Sequence, residues 1–363
     1  MAELLLELFS EDIPARMQDD GARKLAEILA KKFDENGISY TRFDDFSTPR
    51  RIAVMFEGLP HKKADLLIEK KGPSVNAPKA AIEGFLKTAG VNSVADCEIV
   101  KLEKGDFYFV KTHQKGADTH EVLPTLINEA IAALVWPKSM RWGSFAMRWV
   151  RPLHSILAVF DGKTLTGELD LGGGKITFSN TTYGHRFLAP SPIVVRNFAE
   201  YQKKLQEAFV IIDREERKDL ILKEALKIAN DEGYKLLEDR PLLEEVVGLV
   251  EYPVILAGAI DTGFMDVPKE VLTTSMRVNQ KYFALLNEDG TLAPRFIVVA
   301  NNQTADNGRA IIGGNEKVLR ARLSDAKFFW DHDKKIKLTD RIPALSNGNH
   351  TVCIFYNLVT RDR

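Results

Sequence analysis

"LLLELFSEDIPARMQDDGARKLAEILAKKFDENG" spans residues 4–37 and decides how the chain begins to fold. The short apolar run Leu4–Phe9 predicts a strand. Apolar residues then recur at helical spacing from Asp20 to Asn36 and stop at Gly37, which predicts a helix. Ile52–Met55 follows a turn and predicts a second strand. This β-α-β beginning indicates an α/β or α+β domain.

The rest of the N-terminal part continues with similar patterns. Periodicity predicts helices over 78–90 and 120–135, a hairpin over 98–111, and paired strands over 156–160 and 164–171. The basic stretch KKGPSVN, residues 70–76, contains Gly and Pro and is interpreted as a loop.

The composition shifts at Pro190–Val195, where we place a domain boundary. Asp213, with Glu216 three residues later, has the pattern of a helix N-cap and predicts a helix to Asn230. Pro268 is expected at the first position of another helix. Further predicted elements are a helix over 242–250, a strand over 254–259, a hairpin over 282–300 and a helix over 315–333. The predicted fold is α/β to α+β, with mixed sheets and packed helices in at least two domains, ending at the start of a helical region.

The bulk composition is that of an ordinary soluble globular protein. Its 50 Lys and Arg balance 51 Asp and Glu, so a polyanionic partner must be met by a local basic patch. The two cysteines, Cys97 and Cys353, exclude a disulfide scaffold and fit a reducing cytoplasm. The N-terminus lacks the pattern of a signal peptide, and no apolar run is long enough to span a membrane.

Motifs for catalysis are weak throughout. Gly172-Gly-Gly-Lys175 lacks the spacing of a phosphate-binding loop and is interpreted as a hairpin turn. The dipeptide His332-Asp333 needs further ligands to bind a metal, and downstream only His350 is available. No set of nucleophile, base and orienting residue is found. We therefore predict no catalytic residues and no metal site in this chain.

Three clusters combine basic or polar residues with aromatics. They are WPKSMRWGSFAMRWVRPLHS (136–155), which contains no acid and three of the four tryptophans, YGHRF (183–187) and SMRVNQKY (275–282). Arginine binds phosphate in a bidentate manner, and aromatic faces stack on bases. The alternative is structural, with tryptophan filling the core and arginine stems packed along it, and for any single cluster we favour it.

The same clusters belong to longer motifs that resemble the beta subunit of bacterial glycine–tRNA ligase. The resemblance covers roughly residues 3 to 343. The motifs include KGPSVNAPKAAIEGFLKTAGV (71–91), WPKSMRWGSFAMRWVRPLHSILAVFDG (136–162), TTYGHRFLAP (181–190), LLEEVVGLVEYPVILAG (242–258), DVPKEVLTTSMRVNQKYFAL (266–285) and RFIVVANNQTADNGRAIIGGNEKVLRARLSDAKFFW (295–330).

The resemblance implies a cytoplasmic heterotetramer of two alpha and two beta subunits that charges tRNA(Gly) with glycine. In this family the alpha subunit contains the class II catalytic core and binds ATP and magnesium, and the beta subunit supports tRNA recognition without a cofactor of its own. Candidate contacts to tRNA or to the partner subunit are Lys138, Arg141, Arg148, Arg151, His185, Arg186, Arg277, Asn279 and Gln280.

The family's beta subunits are close to twice this length and continue into an HD-like helical domain and an anticodon-binding domain. Similarity fades after about Leu345. We therefore predict domains over 1–192 and 193–312, the start of a helical, HD-like region over 313–343, and a divergent tail over 344–363. Two alternatives to the tRNA role are a scaffold that only docks the alpha subunit and an independent tRNA-editing hydrolase.

Overall fold

The computed structural model describes residues 2–63, 66–91, 93–102, 105–114, 116–335 and 337–342. The chain divides into two compact units. The first contains residues 1–184 and 189–208, and the second contains residues 185–188 and those from 209 onward. The four predicted domain ranges stay predictions, and the predicted tail over 344–363 lies outside the described residues.

The first unit is built on a seven-stranded sheet. Its elements in chain order are β1 (Ala2–Ser10), α1 (Ala15–Glu35), β2 (Arg42–Thr48), β3 (Arg51–Leu59), β4 (Leu66–Ser74), α2 (Lys79–Ala89), β5 (Glu98–Leu102), β6 (Gly105–Gln114), α3 (Thr119–Ala133), β7 (Leu153–Phe160), β8 (Lys163–Thr164), β9 (Glu168–Asp170), β10 (Lys175–Ser179), β11 (Thr181–Tyr183), β12 (Pro192–Val194) and α4 (Phe198–Glu207). The large sheet has the order β2-β3-β1-β7-β10-β9, with β8 beside β7. Only the β7–β10 pair is parallel.

The predicted first strand is confirmed as β1, which is buried on both faces. Leu4 and its same-face neighbours join α1 and α3 in one core, which explains the nearly continuous apolar run. The predicted first helix is confirmed as α1, although it begins at Ala15 rather than Asp20. Pro14 occupies its N-cap, and Gln18 in the first turn is buried and donates to the Ile13 carbonyl at 2.8 Å. A polar residue on the buried face concealed this first turn in the sequence.

The interpretation of residues 70–76 as a loop was wrong for most of its length. Lys70 and Lys71 pair with Val110 and Phe109 of β6, so β4 continues to Ser74. The register shifts between Lys71 and Ser74, and this bulge accommodates the glycine and proline that indicated a loop. The strands of the predicted hairpin over 98–111 are confirmed as β5 and β6.

The Gly-rich turn at Gly172 is confirmed as a hairpin turn, because β9 and β10 pair antiparallel on either side of it. Gly172 and Gly173 have φ values of +68° and +130°, which only glycine adopts readily. The predicted partnership of 164–171 with 156–160 holds only at its start, since β8 pairs with β7 but β9 pairs with β10.

The second unit places one antiparallel sheet between two helical layers. Its elements are α5 (Arg214–Asp231), β13 (Lys235–Leu236), α6 (Arg240–Val247), β14 (Val254–Ala259), α7 (Lys269–Ser275), β15 (Phe283–Leu286), β16 (Leu292–Ala300) and α8 (Arg309–Lys335), with the sheet order β13-β15-β16-β14. Ile297 of β16 packs with α5 and α6, whereas Phe296 packs with α7 and α8. The adjacent residues face opposite sides of the sheet, so each helical layer has its own core.

Helix ends in the second unit follow local chemistry. Asp213 accepts hydrogen bonds from the amides of Glu215 and Glu216, as the N-cap prediction requires. Pro268 lies at the N-cap of α7, one position before the predicted one.

The fold is α+β, as predicted. No described helix is both long and apolar enough to span a membrane.

Candidate nucleic-acid interface

The first basic-aromatic cluster lies on the loop of residues 134–152, which joins α3 to β7. Two tryptophan rings anchor this loop. Trp136 and Trp149 meet edge to face with centroids 5.3 Å apart, and they are 8% and 1% exposed. Trp149 also exchanges two backbone hydrogen bonds with Met140, at 2.8 and 3.0 Å. These two tryptophans therefore belong to the core of the first unit.

Trp136 packs closely against α1 at Gly21. A Cβ atom built on Gly21 would lie 2.4 Å from the nearest ring carbon of Trp136. The helix therefore needs glycine at this position, despite the poor helix propensity of glycine, so that the indole can approach its backbone. This contact holds the start of the loop of residues 134–152 against α1.

The basic side chains of the loop, in contrast, all lie at the surface. The exposed residues are Lys138, Arg141, Arg148 and Arg151. Arg148 donates from Nε and Nη2 to the hydroxyl and the carbonyl of Ser139, at 3.1 and 2.8 Å. Arg151 donates from Nε to a backbone carbonyl at 3.1 Å. Two of the four basic residues are thus held by the protein while their charges face solvent.

Lys138 and Arg141 have no hydrogen-bonding or ion-pair partner within the described ranges of the chain. In the same loop, the rings of Trp142 and Phe145 are half-buried and meet edge to face with centroids 5.7 Å apart. Unpaired cations next to partly accessible aromatic rings can bind phosphate and stack on a base. This surface of the loop is the part of the first cluster best suited to RNA.

The second cluster differs from the first in that its histidine is enclosed. His185 is fully buried, and its Nδ1 accepts the amides of Phe187 and Leu188 at 3.3 Å each. Arg186 is half-buried, and the ring of Phe187 is 69% exposed. The imidazole closes a turn of the backbone, so it reaches RNA only if that turn opens.

The third cluster forms a π-helical turn, Met276–Gln280, that follows α7. Arg277 and Asn279 are exposed and Gln280 is half-buried. Lys281 ends the turn in the left-handed region with φ of +61°, an unusual conformation for lysine. Turns of this kind and backbone strain are frequent at functional sites.

A cleft of about 500 Å³ lies beside this turn, and its lining includes Arg240, Thr273, Thr274 and Arg277. Its charge is not simply positive. The Arg277 guanidinium is 3.7 Å from the carboxylate of Asp239, which also lines the cleft. The ion pair neutralises part of the positive charge, so the cleft suits polar ligands better than it suits a polyanion.

Comparison with known proteins identifies the family of the chain. The family model described as glycyl-tRNA synthetase beta subunit matches residues 4–351. The chain belongs to this family. Three similar relatives are each named glycine–tRNA ligase beta subunit: 49% identical in Rhodospirillum centenum (96% of this chain, 51% of the relative), 44% in Ruegeria sp. (93% and 49%) and 44% in Dinoroseobacter shibae (93% and 46%). The chain thus spans about half the length of these beta subunits.

Within this beta-subunit family member, the nine predicted contact residues are four on the loop of residues 134–152, two in the second cluster and three on the π-helical turn. Lys138 and Arg141 are exposed and unpaired in the described structure, and Arg148 and Arg151 are exposed but tied to the protein. The π-helical turn brings its three candidates together on one short segment. His185 is enclosed. Contact of any of these residues with tRNA or a partner subunit stays a prediction.

Sequence inspection missed a buried polar network in the first unit. Glu7 of β1 and Arg51 of β3 are 0% exposed and form an ion pair at 3.2 Å. Glu7 also accepts hydrogen bonds from the hydroxyls of Thr182, at 2.7 and 2.8 Å, and Tyr201, at 2.5 Å. The interruption of the apolar strand at Glu7 was the one available clue. Its partners come from three other elements, so only the tertiary fold reveals them.

The His332-Asp333 dipeptide lies in the last turns of α8. His332 is exposed and stacks on Phe328 with ring centroids 6.3 Å apart. Among the described residues, no group of three or more His, Cys, Asp or Glu side chains is placed to hold a metal ion. His350 lies outside the described residues, so the sequence-based expectation about this dipeptide stays a prediction.

Proposed function

We propose that the chain is a non-catalytic portion of the beta subunit of a cytoplasmic glycine–tRNA ligase, and that it helps tRNA(Gly) to be recognised and charged. Family membership supports the assignment to the beta subunit. The observation that supports a role in RNA binding is the loop of residues 134–152. Buried tryptophans hold its backbone, whereas its basic side chains all face solvent.

The proposed partner is the alpha subunit, in a tetramer of two alpha and two beta subunits. We place ATP, magnesium and the activation of glycine on the alpha subunit. The beta-subunit chain would then contribute affinity and orientation for tRNA. Its basic loop needs no nucleophile for this task, because phosphate contacts position a nucleic acid by charge and hydrogen bonding alone.

The test is the salt dependence of tRNA binding by the purified chain. Each phosphate neutralised by Lys or Arg releases counterions, so the affinity for tRNA(Gly) should fall steeply as salt rises. Replacing Arg141 by Met should lower the slope of log K against log salt by about 1. Lys163→Met at the start of β8 removes an exposed lysine outside the three clusters and is the matched control. Binding that does not respond to salt would contradict the RNA role.

A scaffold role is the second candidate, and the internal hydrogen bonds of Arg148 and Arg151 favour it. In that case the loop is a rigid docking surface for the alpha subunit. Pull-down of the alpha subunit by the chain, with no salt-sensitive affinity for tRNA, would support the scaffold and exclude the RNA role. Loss of tRNA affinity in Arg141→Met with unchanged alpha-subunit binding would exclude the scaffold.

A further inference from the structure

Residues 66–114 form a small β-α-β-β module inside the first unit. β4 is followed by α2, and then by the hairpin of β5 and β6. The sheet has the order β4-β6-β5, with both pairs antiparallel, so β6 is the central strand. This sequence of elements corresponds to the first four of the β-α-β-β-α-β arrangement.

The helix α2 covers one face of this sheet. Lys70 reaches the C-terminal end of α2, donating to the Thr88 carbonyl at 3.4 Å. A Cβ on Gly72 would lie 2.5 Å from the ring of Phe85 in α2. Val110 is paired with Lys70 and is 1% exposed, so it faces the same way. Tyr108 also lies on this face, because side chains alternate along β6.

The opposite face presents aromatic residues of the central strand. Phe107 and Phe109 are half-buried, so part of each ring remains accessible. Lys71 is exposed, and its ammonium lies 4.2 Å from the centroid of the Phe107 ring. The exposed Glu98 pairs with Phe109 and is an acidic residue on this face. We call Lys71, Phe107 and Phe109 the open face of the module.

The central strand also resembles an RNA-binding motif. Residues 104–110 read KGDFYFV. The aromatic strand of RNA-recognition domains reads Lys/Arg-Gly-aromatic-Gly/Ala-Phe-Val, and its rings stack on bases. The chain departs from this pattern by the inserted Asp106 and by Tyr108 in place of the small residue. Its two phenylalanines keep the alternate spacing that puts both rings on one face.

We propose that the open face binds unpaired nucleotides of RNA by base stacking. Phe107 and Phe109 are about 6.8 Å apart along β6, which is twice the spacing of stacked nucleotides. Each ring can therefore stack on a base that is no longer stacked on the neighbouring base. The ammonium of Lys71 complements a phosphate beside a base on Phe107. The proposal rests on the proposed function only in taking tRNA as the source of those nucleotides.

The first test measures binding of a fluorescein-labelled oligouridylate of about ten nucleotides to the full chain by fluorescence anisotropy. Phe107→Leu combined with Phe109→Leu keeps the apolar volume but removes stacking, and should weaken binding about tenfold or more. Tyr108→Leu, on the face covered by α2, should leave affinity within about twofold. Equal weakening by both variants, or no binding by the unsubstituted chain, would overturn the proposal.

Lysine variants provide a second matched pair. Lys71→Gln should weaken oligouridylate binding and lower its salt slope by about 1. Lys101→Gln removes an exposed lysine of β5 whose partner is Asp106, on the face of Tyr108, and should change neither. Indistinguishable effects of the two substitutions would mean that the open face does not select the RNA.

Photocrosslinking does not depend on whether the variants fold. After ultraviolet irradiation of the unsubstituted chain with oligouridylate, the crosslinked nucleotide should be found on the tryptic peptide of residues 105–111. Its absence from that peptide overturns the proposal. Should Phe107→Leu with Phe109→Leu abolish alpha-subunit binding while no crosslink forms, the face docks a protein instead.

The same experiments separate this proposal from the tRNA role of the whole chain. Oligouridylate crosslinked at 105–111 without any affinity for tRNA(Gly) would contradict the tRNA role and leave the open face as an RNA site. Salt-sensitive tRNA binding that depends on Arg141, together with no crosslink at 105–111, would do the reverse.

Discussion

At the scale of single residues, Gly21 decides whether the loop of residues 134–152 can pack. Gly21→Ala should destabilise the first unit by about 1–3 kcal/mol, because the new methyl group overlaps the buried Trp136 ring by more than helix propensity recovers. Thermal unfolding followed by circular dichroism measures this. Gly84→Ala in α2 is the control, since no atom lies within 4 Å of its Cβ, and it should be neutral or stabilising.

Substituting the partners of the buried Glu7 carboxylate should lower the free energy of unfolding strongly. Arg51→Met leaves a carboxylate buried without its cation and should cost about 3–5 kcal/mol in the free energy of unfolding. Tyr201→Phe removes one hydrogen bond to that carboxylate and should cost about 1.5–3 kcal/mol. Urea denaturation gives both values. Equal, small effects of the two substitutions would show that Glu7 is solvated rather than enclosed.

At the scale of elements, the loop of residues 134–152 separates stability from binding. Arg148 makes two hydrogen bonds to Ser139, so Arg148→Met should lower both the melting temperature and tRNA affinity. Arg141 makes none within the described structure, so Arg141→Met should lower affinity by about three- to tenfold without changing the melting temperature. Parallel melting and anisotropy titrations measure the two quantities. A stability loss in Arg141→Met would assign that side chain to packing.

Most elements with one clean period could be predicted from the sequence. The apolar run of β1 and the helical spacing of apolar residues in α1 predict those two elements. Local turn residues predict the turn between β15 and β16. KKGPSVN was misassigned because glycine and proline predict a loop locally, whereas pairing with β6 holds them in a bulged strand. In this strand the pairing partners lie 33 or more positions away, as Phe107 does from Ser74, and no local pattern contains them.

The candidate site shows the same limit. The structure places Trp149 in the core, at 1% exposed, and Arg141 at the surface, whereas for residues 136–155 the sequence favours tryptophan as core filler with arginine stems packed along it. The sequence could not predict that His185 closes a backbone turn, because an imidazole beside arginine and phenylalanine looks the same in a surface cluster. The direction in which a side chain points depends on the tertiary fold, and the composition of a cluster does not contain this information.

At the scale of the whole molecule, the described part of each unit contains a tyrosine whose pKa is raised by burial. Burial, and next the Glu7 carboxylate, raise the pKa of Tyr201 well above its usual value near 10. Burial raises the pKa of Tyr282 in the second unit to about 12. Between about pH 10 and the raised pKa of each tyrosine, the folded protein keeps a phenol proton that the unfolded chain has lost. The free energy of unfolding should therefore fall as the pH rises above about 10.

Phenylalanine variants test this unit by unit. Tyr282→Phe should flatten the loss of stability of the second unit between about pH 10 and pH 12, and Tyr201→Phe should do so for the first unit. Urea denaturation at several alkaline pH values measures the slope, and absorbance at about 295 nm follows tyrosine ionisation. An unchanged slope in both variants would place the alkaline sensitivity elsewhere.

The buried Glu7 network also sets an order of events during synthesis. Its members stand at positions 7, 51, 182 and 201, so the carboxylate emerges from the ribosome long before its last donor. β1 is therefore made early but lacks complete polar partners until α4 has emerged. Because domains tend to fold as units while translation proceeds, we expect the first unit to close only after about two hundred residues are exposed. Until then, the nascent sheet is a natural client for chaperones.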